Sequence, residues 1–244
     1  MRRVPLIAVI AGCSATPAPV APAPPPPAQP TETLWDRGTF VTVDKDVVLP
    51  DVEEKFEIYR TGDGYRFVVT WKRPAPTGEP SEGEAVLTTD DHFSPLQGKM
   101  TTTLHTTSRA EVTRSTIQRE PDGRLSTEVI AWDGSKETGH STQPNDWFIG
   151  GTITTFLVAL CQADAAITQP IVYPDKATTL AAFKPLAVEG TQRSVSSRML
   201  VYDQSHRQVI AACENGKLAG EVARGSAVVR SGDLALARVL ESFH

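Results

Sequence analysis

Asp90, Asp91 and His92 stand in a row, two hard carboxylate oxygens beside an imidazole. Those are metal-ligand types, but His105 or His140 would have to join them in space to complete a site, and a polar turn between strands accounts for the same triplet. Glu57, Glu84, Glu111, Glu128 and Asp133 are candidates for paired carboxylate chemistry, which needs two groups about 5 to 10 Å apart with one in a pocket that raises its pKa. Nothing in their spacing selects a pair. Hydrolase signatures are missing too: there is no G-x-S-x-G elbow, no S-x-x-K with its companion motifs and no H-E-x-x-H. Cys161 falls beside the apolar side of a predicted helix, where a thiol is raised in pKa and inert. His206, after Asp203, reads as part of a solvated hairpin turn. The expectation is a non-enzyme with no catalytic residue, no metal and no cofactor.

A different kind of site is suggested by strands with two mixed faces. Met100, Thr102, Leu104 and Thr106 alternate with Thr101, Thr103 and His105. Such a strand suits a curved sheet whose inner side holds a cavity or a helix, and equally an ordinary sheet exposed on one side. Phe67, Trp71, Met100, Leu104, Ile153 and Phe156 are the candidate liners of a lipid or apolar-ligand site. A one-residue error in strand facing would exchange the strand members for their neighbours. Trp132, Trp147 and Phe148 are further aromatic candidates, with the core as their ordinary alternative.

The elements that must carry these residues are mostly strands. Phe56 and Ile58 alternate with polar neighbours, residues 61–64 form a Thr-Gly-Asp-Gly turn, and Tyr65, Phe67, Val69 and Trp71 share one face of a returning strand, a hairpin pattern. Residues 74–82 read as loop. Strands are expected at 84–89, 99–107, 111–119 and 125–132, with Pro121-Asp122-Gly123 turning between the last two.

Ile149, Ile153, Phe156, Leu157 and Leu160 take helical spacing and predict a helix over 149–163. Extended segments follow at 168–173, 178–188, 194–202, 207–213 and 218–223, with Asn215-Gly216 as a hairpin turn. Val209 to Cys213 is apolar without alternation, as in a strand covered on both faces. Leu236, Val239, Leu240 and Phe243 predict a C-terminal helix capped by Ser231 or Asp233. The fold class is mainly β with minor α: a large curved antiparallel sheet or half-barrel with one central helix and a short C-terminal helix. Over residues 38–224 the arrangement is similar in layout, without any shared motif, to the half-barrel lipid carriers of the LolA and LolB family of periplasmic lipoproteins.

The first residues read as an address. Arg2 and Arg3 precede an apolar stretch, Val4 to Ile10, and a small-residue step, Ala11-Gly12, which are the three parts of a secretory signal. The apolar part falls far short of the roughly 20 residues that span a bilayer. Ile10-Ala11-Gly12-Cys13 resembles the lipobox of bacterial lipoproteins. The resemblance implies a diacylglyceryl group on the Cys13 thiol, removal of residues 1–12, and anchoring by two or three acyl chains. An ordinary export signal with an incidental cysteine is the alternative.

Eight prolines between Pro17 and Pro30 favour an extended polyproline segment, about 3.1 Å per residue. The expected organisation is therefore a signal peptide at 1–12, a lipidated cysteine and tether at 13–33, and one β-rich domain at 34–244. The expected location is the cell envelope, either the outer membrane facing the periplasm or the outer face of the cytoplasmic membrane.

The chain carries 24 basic and 29 acidic residues; without Arg2 and Arg3 the basic count falls to 22 and the net charge to −7. That balance argues against nucleic acid as a partner and leaves the membrane reached through the lipid, an apolar ligand, or an envelope protein. With Cys13 lipidated, Cys161 and Cys213 remain, either bridged or as two buried free thiols. A bridge closing about 52 residues would contribute roughly 4 kcal/mol.

Overall fold

The computed structural model describes residues 32–75, 78–141, 153–162, 178–180, 182–202, 207–223, 226–231 and 233–243. They form one open antiparallel sheet with two short helical segments. Strands β1 (Thr33–Asp44), β2 (Val47–Arg60), β3 (Gly64–Pro74), β4 (Pro80–Asp90), β5 (Pro95–His105), β6 (Ala110–Arg119), β7 (Leu125–Ile130) and β8 (Lys136–His140) make a meander in chain order.

A single helical turn at Thr154–Leu157 leads into α1 (Val158–Gln162). Then come β9 (Thr178–Leu180), β10 (Lys184–Leu186), β11 (Val195–Tyr202), β12 (Arg207–Glu214), β13 (Lys217–Ala223), β14 (Ser226–Arg230) and helix α2 (Leu234–Glu241). β14 pairs with β1, so this second meander continues the first in reverse order out to β10; β9 shares the flank of β11 with β10. The sheet's two ends are β8 and the β9/β10 pair, and the chain's first and last strands meet in its middle.

The strands arise from period-two alternation. In β3, Tyr65, Phe67, Val69 and Trp71 are buried while Arg66, Thr70 and Lys72 are not. β4 starts at Pro80, earlier than the expected loop over 74–82 allowed, because Trp71 lies across Gly83, its partner in the ladder, and supplies the apolar cover that Gly83 lacks. β1, β8 and β14 lie outside the strands expected from the sequence. β8 is short and charged, which suits an edge that must not pair further.

Apolar side chains gather on both faces. One cluster joins Phe40, Phe56, Ile58, Phe67, Val69, Trp71 and Leu87 to residues 153 and 156–161. The other packs Leu236, Ala237 and Leu240 of α2 on Val222, Ala227 and Val229. β12 separates them, sending Ala211 and Cys213 to the first cluster and Ile210 and Ala212 to the second, as its unbroken apolar run predicts. Asn215 and Gly216 both have positive φ and turn β12 into β13.

The segment expected as one amphipathic helix over 149–163 differs from that reading. Within its described part, 153–162, the first turn is 3-10, and every residue from Ile153 to Cys161 is buried, so no polar face exists. Residues 149–152 and 163, and the segment expected as extended at 168–173, lie outside the described residues. The segment expected as extended over 178–188 is two short strands.

In α2 the cap is Asp233, whose Oδ1 accepts from Leu236 N at 3.1 Å; its Oδ2 takes Arg193 Nη1 at 2.6 Å. Phe243, expected on the buried side of this helix, lies beyond its end and is exposed.

Candidate functional site

The metal-like triplet is a turn. Asp90 Oδ1 accepts from His92 N at 3.0 Å and Ser94 N at 2.8 Å, and its Oδ2 meets Arg119 at 3.4 Å. This geometry drives Phe93 into the core, where it stacks on Tyr65 at 4.2 Å. His105 pairs instead with Glu82 at 3.2 Å, by the start of β4, eight residues or about 27 Å along the strand from Asp90. His140 is four strand spacings away, roughly 19 Å. Among the described residues no group of three or more His, Cys, Asp or Glu is arranged to hold a metal ion. Cys161 and Cys213 are joined in a disulfide. Trp132 is 46% exposed beneath the Arg109 guanidinium, while Trp147, Phe148, Asp203 and His206 lie outside the described residues.

Of the six candidate liners, Phe67, Trp71, Ile153 and Phe156 belong to the buried cluster under the helical segment. Met100 packs at its margin, and Leu104 is half-buried further along β5, opposite Ser81 and Glu111. Phe67 meets Phe156 edge to face at 5.8 Å. Past this cluster the same sheet face continues through Met100 and Leu104 on β5, Ile117 on β6 and Val129 on β7, all half-buried. The opposite face of β2 to β5 has a cleft of about 340 Å³. It is crossed by a row in which Glu53, Lys72 and Glu82 stand opposite one another, a cross-strand ladder of alternating charge.

The polar centre of the molecule lies where the helical segment begins. Glu54 on β2 is 5% exposed, and its carboxylate accepts from Thr154 N at 3.0 Å, Thr155 N at 2.7 Å and Thr155 Oγ1 at 2.5 Å. Those backbone donors open the helical turn and have no partner within it, so the acid satisfies groups that burial would otherwise orphan. Thr154 Oγ1 donates to Glu221 Oε1 of β13 at 2.5 Å. Glu221 is half-buried as a residue, but its carboxyl group is enclosed.

Burial pushes the Glu221 carboxyl up to about 7; neighbouring Glu54 adds to the rise, while the Thr154 hydroxyl and Arg73 oppose it. Burial likewise raises Glu54 above the ordinary carboxylate range against the pull of the Thr155 and Thr154 hydrogen bonds and of Arg73. Arg73 on β3 is itself lowered by burial and supported by both acids. Two carboxylates and one guanidinium, enclosed together, are an arrangement that holds a proton.

At the trailing end the charges are reversed. Arg198, only 1% exposed, donates to Leu160 O at 3.3 Å with Phe183 4.7 Å from its guanidinium. Acid at the start and base at the end match the helix dipole, and the disulfide at Cys161 and a hydrogen bond from Gln162 Nε2 to Gly216 O complete the clamp.

Sequence reasoning did not single out Glu54, Arg73 or Glu221. The available signal was register: Glu54 shares the parity of Phe56 and Ile58, and Arg73 that of Val69 and Trp71, so strand alternation turns a charge toward the apolar face. No described helix is long and apolar enough to cross a membrane. The chain matches no family model, no curated protein and no solved structure.

Proposed function

We propose that this chain is a non-catalytic lipoprotein of the bacterial cell envelope, tethered through a lipidated Cys13 and the proline-rich segment after it. In this reading its helix-bearing sheet face receives an apolar or amphipathic ligand, such as an acyl chain. The observation that carries the ligand reading is the spread of apolar side chains along that face, interleaved past β3 with Ser81, Thr102, Glu111 and Ser115. It runs from Phe40 on β1 through Phe67 and Trp71 to Met100, Leu104, Ile117 and Val129, well beyond the stretch occupied by Phe156 and Leu157. A mixed strip of that length, apolar under the helical segment and amphipathic at its half-buried far end, suits an elongated amphipathic ligand.

Mass spectrometry of the processed protein tests both parts. A diacylated N-terminus at Cys13, abolished by Cys13→Ala, supports the tether. A lipid retained under native conditions and lost on Met100→Glu supports the ligand. An unmodified chain beginning at Met1 refutes the first, and a protein free of lipid that takes up no added fatty acid refutes the second.

A second reading is an envelope protein that docks a protein partner and has no ligand pocket. It is favoured by the ring-to-ring contact of Phe67 with Phe156, which fills the space under the helical segment. Recovery of one defined envelope protein by crosslinking, with no bound lipid, would select it.

A further inference from the structure

Residues 153–162 are held very differently at their two ends. The trailing end has a covalent bond to β12, a guanidinium on Leu160 O and an amide on Gly216 O. None of these changes charge near neutral pH. The leading end is held by Glu54 from β2 and Glu221 from β13, converging on Thr154 and Thr155, with Arg73 from β3 as the cation set against both.

We infer that residues 153–162 form a strap, hinged on the Cys161–Cys213 disulfide, whose leading end is latched by the bonds of Thr154 and Thr155 to Glu54 and Glu221 while one of these two acids is protonated, and lifts as that proton is withdrawn. With the proton present, one negative charge faces Arg73 and the enclosed site is neutral. With both acids ionised, an excess negative charge is enclosed, and moving Thr154 and Thr155 away exposes it to water. Lifting draws Ile153 and Phe156 off Phe67 and uncovers the apolar face. The inference concerns the same face as the ligand reading but stands without it, since it needs no ligand.

The groups that set the charge of the latch are Glu54, Glu221 and Arg73, with the Thr154 and Thr155 hydroxyls. A Glu221 carboxyl at about 7 when closed and at an ordinary 4.5 when open makes the open population rise on the order of 70-fold from pH 5 to pH 8, levelling off near pH 7.

Hydrogen exchange on the full chain, corrected for the intrinsic pH dependence of amide exchange, reads this directly. The peptide covering 153–160 is expected to show the rise relative to a peptide from β12, and E221Q is expected to abolish it. Three outcomes overturn the inference: no rise, an equal rise in E221Q, or the same rise in β12, which would mean whole-domain loosening. Should E221Q fail to fold, the wild-type profile decides. A rise that levels off near pH 7 supports the latch, and one still climbing at pH 9 overturns it. Fatty-acid uptake measured alongside keeps the two ideas apart, because a strap that opens without binding the probe refutes the ligand and leaves the hinge.

Discussion

Replacing Glu54 with alanine separates a helix clamped by one acid from a helix held by apolar packing alone. Glu54 receives three donors, the amides of Thr154 and Thr155 and the Thr155 hydroxyl, at 3.0, 2.7 and 2.5 Å. Hydrogen bonds to a charged acceptor contribute about 1.5 to 3 kcal/mol each, and a buried donor left unpaired costs about 1 to 3 kcal/mol. Two effects work the other way. The enclosed carboxylate no longer has to be desolvated, and Glu221 loses a like-charged neighbour and keeps Arg73 for itself. The three donors outnumber these reliefs, so the net loss expected is about 3 kcal/mol, which for a domain of this size lowers Tm by about 6 to 12 °C.

Urea unfolding gives the measurement, with an unchanged slope showing that the unfolded reference is the same. Glu54→Gln should lose less than alanine, because its one carbonyl oxygen can still accept from Thr155 N and Oγ1, while Thr154 N, bonded to the other carboxylate oxygen, loses its acceptor. A loss under about 1 kcal/mol for Glu54→Ala would refute the clamp, since the first turn would then have found other partners at no cost.

Glu221 carries a folded-state pKa raised above its unfolded value, so its contribution to stability is fully present below about pH 4.5 and is lost as pH rises through about 7. Relative to Glu221→Gln, the wild type should lose about 3 kcal/mol between pH 4.5 and pH 8 in chemical denaturation, and a pH-independent difference would contradict it. Reduction of the Cys161–Cys213 bridge, which spans 52 residues, should cost roughly 4 kcal/mol, read as the shift in urea midpoint between oxidised and reduced protein. A change below 1 kcal/mol would show that the strap docks without it. Gly83→Ala would place a methyl 2.2 Å from Trp71 Cζ2 and 2.5 Å from Thr101 O, so a loss of about 2 kcal/mol or more is expected, with an altered near-UV signal from the displaced indole.

What the sequence made legible follows from how directly each feature maps to one physical rule. The run Val209 to Cys213, the alternation of β3 and the Asn215-Gly216 turn each depend on local geometry, and each stands in the structure. Within the described residues both helix-like spacings hold helical turns, but Phe243 falls beyond α2, and Ile153 to Leu157 open as a 3-10 turn because two threonines there are committed to distant carboxylates.

β8 and the start of β4 were hidden for a shared reason: neither has an apolar alternation of its own. Glycine, glutamate and lysine in those positions are tolerated by an edge in one case and by the overlying Trp71 in the other. The Glu54, Arg73 and Glu221 centre joins strands 167 residues apart in the chain, which the pairing of β14 with β1 brings together. Of the candidate acids, Glu57, Glu84, Glu111 and Glu128 lie on strands and Asp133 in a turn, whereas parity with the neighbouring aromatics is what distinguishes Glu54.

The seam between β1 and β14 is also the reason a strap is needed. Among the described residues, four residue pairs, from Phe40 with Arg230 to Val43 with Ala227, join two meanders that share no other ladder. Arg230 and Lys217 reinforce the seam by meeting the buried Asp36 of β1, and Arg230 spreads over Phe40 and Phe56. Even so, contacts across so long a sequence separation are the slowest to form and the easiest to lose as a unit.

Residues 153–162 add a second tie over the same join. Their leading end bonds to Glu54 on the first meander, and their body is fixed to the second through Cys213, Arg198 and Gly216. A single segment anchored on both sides couples the unfolding of one half to the other, so loosening Glu54 should reduce cooperativity as well as stability. Unfolding followed separately at Trp71, on the first meander, and at the Cys161–Cys213 bridge, on the second, would then give transitions that coincide in the wild type and separate in Glu54→Ala.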